Sequence, residues 1–141
     1  MIKALLALVA AALFAGAALY ISLAEHPARM RLGDEAALGQ WKPSYARAVP
    51  MQAGLALISL LLGLWAWWKI GDDWLLAASL LIGAVLPLTL VAIMPTNRRL
   101  QAAAAGPESR ALLDRWGRLH WLRTLLALAA VAAYFAAFAW P

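Results

Sequence analysis

The sequence predicts an all-α fold, an integral membrane four-helix bundle made of two tandem parallel helix-hairpin repeats. Three observations predict it. Of the 141 residues, 65% are hydrophobic and only 13% charged, more apolar surface than one small soluble core can hide, so the lipid bilayer is the expected solvent. The apolar residues fall into four runs, about 4–24, 50–68, 74–94 and 119–140, each near the roughly 20 residues that a spanning helix needs. A short motif also occurs twice: "EHPARMRL" (25–32) is echoed by "MPTNRRL" (94–100), which aligns Pro27 with Pro95, Arg31 with Arg99 and Leu32 with Leu100.

The first run opens with Lys3 and holds small residues at 15–18, as a cleaved leader does, but it is long enough to span and runs into a charged, motif-bearing loop, so it reads as a retained helix. Pro27 is expected to stop it, because the residue before a proline is pushed out of the helical region. A long connection, 25–49, then leads to the second run, which ends among Trp65, Trp67 and Trp68. The third run starts at Trp74 and stops at Pro95, and the connection 95–118 follows. The fourth helix gains a cytoplasmic extension if it starts near Pro107, whose missing N–H suits a first-turn position.

Each half thus reads helix, Pro-x-x-x-Arg-Leu, Trp-x-x-x-aromatic, helix, the second pair of motifs being "WKPSY" (41–45) and "WGRLH" (116–120). The repeats are about 1–68 and 69–141, with a seven-residue insertion in the second. Halves that both start on one side are parallel repeats about an axis along the membrane normal, which brings their motif loops together. Gly16, Gly54, Gly63 and Gly83 are expected to allow close helix approach.

Arg29, Arg31, Lys42, Arg47, Arg98, Arg99, Arg110, Arg115 and Arg118 lie in the two long connections, against Lys3 and Lys69 opposite. The positive-inside rule then makes both long loops cytoplasmic and puts both termini outside. The net charge of +5 is explained by that bias and gives no reason to expect nucleic acid. Usage of Ala, Leu and Arg hints at a bacterium of high genomic GC content, hence at a bacterial cytoplasmic membrane.

Polar and unusual residues gather at the loop end, among them Glu25, Gln52 and Arg123, while the helix middles are almost uniformly apolar, which argues against a central ion pathway. With no cysteine, disulfides and thiolate ligands are excluded. No glycine-rich phosphate loop, His-x-x-Glu-His pattern or nucleophile-elbow serine is present. Trp116, His120 and Arg123 stand at i, i+4 and i+7 on one helix face. Ionisable groups at such a rim usually face the interior, although Arg123 can also snorkel to the interface. His26 is the second of only two histidines. It can complement a helix dipole or join His120 in a site. Asn97 caps a helix or binds a ligand oxygen. Trp41 and Trp116 anchor at the interface or sandwich a flat ring. Two histidines alone do not specify a metal, and none is assigned; a haem between His26 and His120, or a copper or iron with Glu25 or Met94 added, stays open.

Taken together, Gly16-x-x-x-Tyr20 with "EHPA", the Trp-x-x-x-Tyr at 41–45, "MPTNRRL", and "RWGRLHWLRT" (115–124) make the chain resemble the anthrone oxygenase-like family of small four-helix membrane proteins over nearly its whole length. The best-known members of that family oxidise anthrones to anthraquinones with molecular oxygen in polyketide pathways. The resemblance implies an oxidoreductase for lipophilic polycyclic phenols. His26, His120 and Arg123 are then the catalytic candidates, with Trp41, Tyr45, Asn97 and Trp116 around the substrate. Removing a proton from an anthrone gives an electron-rich anthranolate that reacts with oxygen without a cofactor, given a base, an oxyanion donor and a dry aromatic slot. Two other readings stay open on the residues alone: a quinone- or haem-binding redox module, and a non-catalytic membrane subunit. A chain this short also leaves room for a homodimer.

Overall fold

A computed structural model describes residues 1–140. Four helices account for nearly all of them: α1 Ile2–Arg29, α2 Asp34–Ile70, α3 Asp73–Ala102 and α4 Pro107–Ala139, each long and apolar enough to cross a membrane. The fold is the all-helical membrane bundle that the apolar runs predict. Each helix packs against its neighbours in sequence, and α1 closes the ring on α4.

The helices are longer than the apolar runs at the loop end. Pro27 and Pro95 do not end α1 and α3. Each instead follows a one-turn π-helix, Ile21–Glu25 and Thr89–Ile93, in which His26 N–H bonds to the Ile21 carbonyl and Met94 N–H to the Thr89 carbonyl. A proline lacks a donor and its ring crowds the carbonyl a turn earlier. The wider turn leaves room for that ring, and helix resumes at His26–Arg29 and Met94–Ala102. The two irregularities lie 68 residues apart, the offset of the prolines. Likewise α2 does not begin at Pro50. It starts at Asp34 and carries both Pro43 and Pro50 inside. The long connections shrink to residues 30–33 and 103–106, and they meet: Arg110 pairs with Asp34 at 2.5 Å and donates to the Met30 carbonyl at 2.8 Å, while Lys42 donates to the Ala103 carbonyl at 3.3 Å.

At the opposite end, Gly71 closes α2 in the left-handed conformation (φ +79°), where glycine avoids a Cβ clash. Asp72 caps α3 by accepting the Trp74 N–H at 2.7 Å. Between the ends, small residues let the helices approach: Ala4, Ala7, Ala11, Ala66, Ala78, Ala133 and Ala137 are buried together around Tyr134. Of the four glycines expected at close approaches, Gly63 faces the hydroxyls of Tyr134 and Ser79, and Gly83 faces Leu60; Gly16 and Gly54 face open space. The apolar middle has one polar exception. The Tyr134 hydroxyl donates to the Ser59 carbonyl at 3.0 Å, Ser59 Oγ donates to the Ala7 carbonyl at 2.9 Å, and Ser79 Oγ lies 3.3 Å from the Tyr134 hydroxyl. These groups satisfy one another, so they tie α1, α2, α3 and α4 together without opening a polar path.

Candidate functional site

The loop end of the bundle brings together the residues singled out in the sequence. Trp41, Tyr45, Asn97, Trp116, His120 and Arg123 line one small cavity, and His26 lies beside it against Trp116. Each helix contributes: α1 supplies Ser22, Glu25, His26 and Arg29, α2 Trp41, Tyr45 and Gln52, α3 Asn97, and α4 Trp116, His120, Arg123 and Thr124.

His120 is buried, and its Nδ1 lies 3.0 Å from Ser22 Oγ, which lies 2.9 Å from Thr124 Oγ1. The Thr124 hydroxyl donates to the carbonyls of His120 (3.1 Å) and Ala18 (3.3 Å). With the ring proton on Nδ1 the chain runs imidazole N–H to Ser22, Ser22 to Thr124, Thr124 to backbone; with it on Nε2, Ser22 donates to Nδ1 instead. The first arrangement leaves Nε2 with a free lone pair, since a neutral imidazole has one donor and one acceptor nitrogen.

His26 belongs to a second network. Arg29 Nη1 is 3.0 Å from His26 Nδ1, and the same guanidinium pairs with Glu25 and donates to Gln40 Oε1. Glu25 also accepts from Ser44 Oγ at 2.6 Å and from Gln40 Nε2 at 3.3 Å. Arg29 is buried and well satisfied, a reason for it to serve as structure rather than as a loop charge. Gly117 gives His26 its place, since any Cβ there would run into the imidazole.

The aromatic rings form a corner rather than a slot. Trp41 stacks on Tyr45 (4.8 Å between centroids, 12°) and meets Trp116 edge to face (6.0 Å, 83°), so the expected Trp41–Trp116 sandwich does not form. Trp116 packs on both imidazoles, 5.3 Å from His26 and 4.9 Å from His120. Asn97 does not follow a terminated helix, as the proline suggested. It sits inside α3 and donates from Nδ2 to the Tyr45 hydroxyl at 3.2 Å.

Four buried side-chain polar atoms among the described residues have no hydrogen-bond partner: Trp41 Nε1, Gln52 Nε2, Asn97 Oδ1 and Arg123 Nε. All four belong to residues lining the same cavity. Native proteins leave few such atoms unpaired, and each costs about 1–3 kcal/mol. Three are donors, and one of these is on a guanidinium packed over Phe14 at 5.0 Å with no ion pair among the described residues. The cavity itself has room, about 20 Å³, for one water-sized molecule.

The residues suit a metal less well. Among the described residues no three of His, Asp and Glu converge. Glu25 is held by Arg29, Gln40 and Ser44, and Met94 lies under the Tyr45 hydroxyl at 3.9 Å.

Sequence reasoning missed Ser22, Thr124, Gln40 and Ser44, and it read Arg29 only as a topology charge. Thr124 was within reach, one turn beyond His120 on the same face. Glu25, His26 and Arg29 become one group only when α1 continues through Pro27.

In comparison with known proteins, the family profile described as anthrone oxygenase matches residues 41–133. No curated protein and no solved structure matches the chain.

Proposed function

Because the chain belongs to the anthrone oxygenase family, we propose that it is a membrane-embedded oxygenase that oxidises a lipophilic anthrone or similar polycyclic phenol to the quinone with molecular oxygen. The observation that carries this reading is the set of unpaired donors, Trp41 Nε1, Gln52 Nε2 and Arg123 Nε, gathered around one cavity beside an oriented imidazole.

In this mechanism His120 Nε2 takes a proton from the methylene carbon of the anthrone, directly or through one water. The electron pair moves onto the ring carbonyl, and the donors stabilise that oxyanion. Fixed donors in a dry site need no reorganisation as charge develops, which is why they favour the deprotonated form. The resulting carbanion gives its electrons to dioxygen, a C–O bond forms, and the peroxide takes the proton back from His120. Loss of water, with cleavage of the O–O bond and departure of the second methylene proton, leaves the quinone. One dioxygen is consumed, one of its atoms stays in the product and the other leaves as water.

Under the same proposal the chain sits in a bacterial cytoplasmic membrane with its motif loops inside, which nine loop cations against two opposite support. His26 holds Trp116 and so shapes the site. The test is oxygen uptake and quinone formation with anthrone in lipid nanodiscs. The native chain consumes oxygen in step with quinone, and the His26→Ala, His120→Ala double variant does not. Uptake that survives the double substitution overturns the reading.

A further inference from the structure

Beside the polar cavity, the bundle wall carries a second hollow of different character. Phe14, Ala56, Val85 and Arg123 form its buried floor, and Val49, Ala53, Leu86, Thr89, Leu90 and Met94 form its sides, with Tyr45 at the end nearest the polar cavity. Only Tyr45, Thr89 and Arg123 offer polar atoms. The hollow lies between α2 and α3, along stretches apolar enough to sit in lipid, and its edge residue Leu90 is 65% exposed. Its volume is about 170 Å³, close to a cavity that holds one benzene ring. Tyr45, Val49 and Arg123 line both hollows.

We infer that this groove is the docking site of a lipophilic ketone or phenol that reaches the protein sideways from the bilayer, its ring seated between α2 and α3 and its oxygen on Arg123. The inference rests on the proposed oxygenase reading for its chemistry but not for its geometry.

Three observations lead to this occupant. Arg123 as a residue is only 9% exposed at the floor of an apolar groove, and its Nε has no partner. Ionisable groups inside the membrane are costly, and they mark ligand sites when nothing in the protein neutralises them. The groove also opens along the apolar stretches of α2 and α3 rather than at the loops, so for a chain seated in a bilayer its occupant must be soluble in lipid. Finally, the two volumes divide the work. A cavity for one water-sized molecule cannot admit a ring system, whereas a groove of benzene size can hold a ring with its oxygen on Arg123. This is an entry pose that precedes the proton transfer, since His120 lines the small cavity and not the groove. The π-turn Thr89–Ile93 forms part of the groove wall, since Thr89 and Leu90 both line it.

Benzophenone is a suitable probe, because it is a lipophilic ketone with one acceptor oxygen that, under ultraviolet light, inserts into nearby C–H bonds. In nanodiscs containing the full chain, adducts mapped by mass spectrometry should concentrate on Val49–Ala56 and Leu86–Met94 and should saturate with concentration. Ala53→Trp, which fills the groove from its side, should abolish the saturable part. Arg123→Gln should weaken it about tenfold, the loss of one charge-assisted hydrogen bond. Adducts spread evenly over lipid-facing residues such as Leu57, Leu61 and Leu125, or saturable labelling unchanged in Ala53→Trp, overturn the inference. Saturable labelling without any oxygen uptake keeps the groove and removes the oxygenase reading. Oxygen uptake without groove labelling does the reverse.

Discussion

Ser22 stands between the imidazole of His120 and the hydroxyl of Thr124, so its substitution separates orientation from chemistry. His120→Ala should cost about 10²- to 10⁴-fold in kcat for anthrone oxidation, the usual range for a positioned base. Ser22→Ala keeps the base but frees its tautomer, so the fall in kcat should be smaller with KM unchanged, as steady-state kinetics in nanodiscs will show. Gly117→Ala tests the other histidine. Its methyl must displace the His26 ring, and overpacking of this kind costs about 1–3 kcal/mol, readable as a lower thermal unfolding midpoint in detergent. His120, Trp116 and Arg123 were legible in the sequence because helical spacing puts them on one face. Ser22 was not, because it lies within an apolar run and acquires its role only when α1 meets α4.

At the scale of the element, the π-turns decide where the site residues point. An α-helix advances about 100° per residue, and the wide turn takes up one extra residue, so closing it with no residue lost rotates everything beyond it. Pro95→Ala, which removes the ring that the wide turn accommodates, should let that turn return to α geometry and swing Asn97 away from Tyr45. The expected outcome is a chain with native helix content by circular dichroism and lost saturable benzophenone labelling; labelling at the native level would show that the turn does not set the groove. The apolar runs located all four helices, because lipid solvation demands them. They failed at the loop end for a definite reason. A proline is a good stop signal in a soluble helix, whereas Pro27, Pro43, Pro50 and Pro95 are each accommodated here, two of them by a widened turn. The repeated Pro motif therefore marks a bend in the ladder rather than its end, and the loops predicted around it are mostly helix.

For the whole molecule, the polar knot of Ser59, Ser79 and Tyr134 holds the apolar middle of the bundle, away from the site. Tyr134→Phe removes the donor to the Ser59 carbonyl and should lower stability by about 1 kcal/mol, a typical net value for one hydrogen bond, with oxygen uptake unchanged. Chemical unfolding followed by tryptophan fluorescence measures the first and oxygen electrode traces the second. The four ion pairs at the loop end carry a different implication. Arg29, Arg99, Arg110 and Arg118 each close on a carboxylate, at Glu25, Glu108, Asp34 and Asp114. Before the helices assemble, the Arg110–Asp34 pair between α4 and α2 does not exist, whereas Arg29–Glu25 and Arg118–Asp114 need only one helical turn, and the insertion machinery meets nine cations in the two connections. Once folding is complete, four are neutralised and five remain: Arg31, Lys42, Arg47, Arg98 and Arg115. On the proposed orientation, with the motif loops inside, the nascent chain thus carries a strong address label, and the folded protein presents a milder face to an anionic leaflet, which attracts each free Lys or Arg by about 1 kcal/mol. Sorting uses charges that folding afterwards withdraws from circulation.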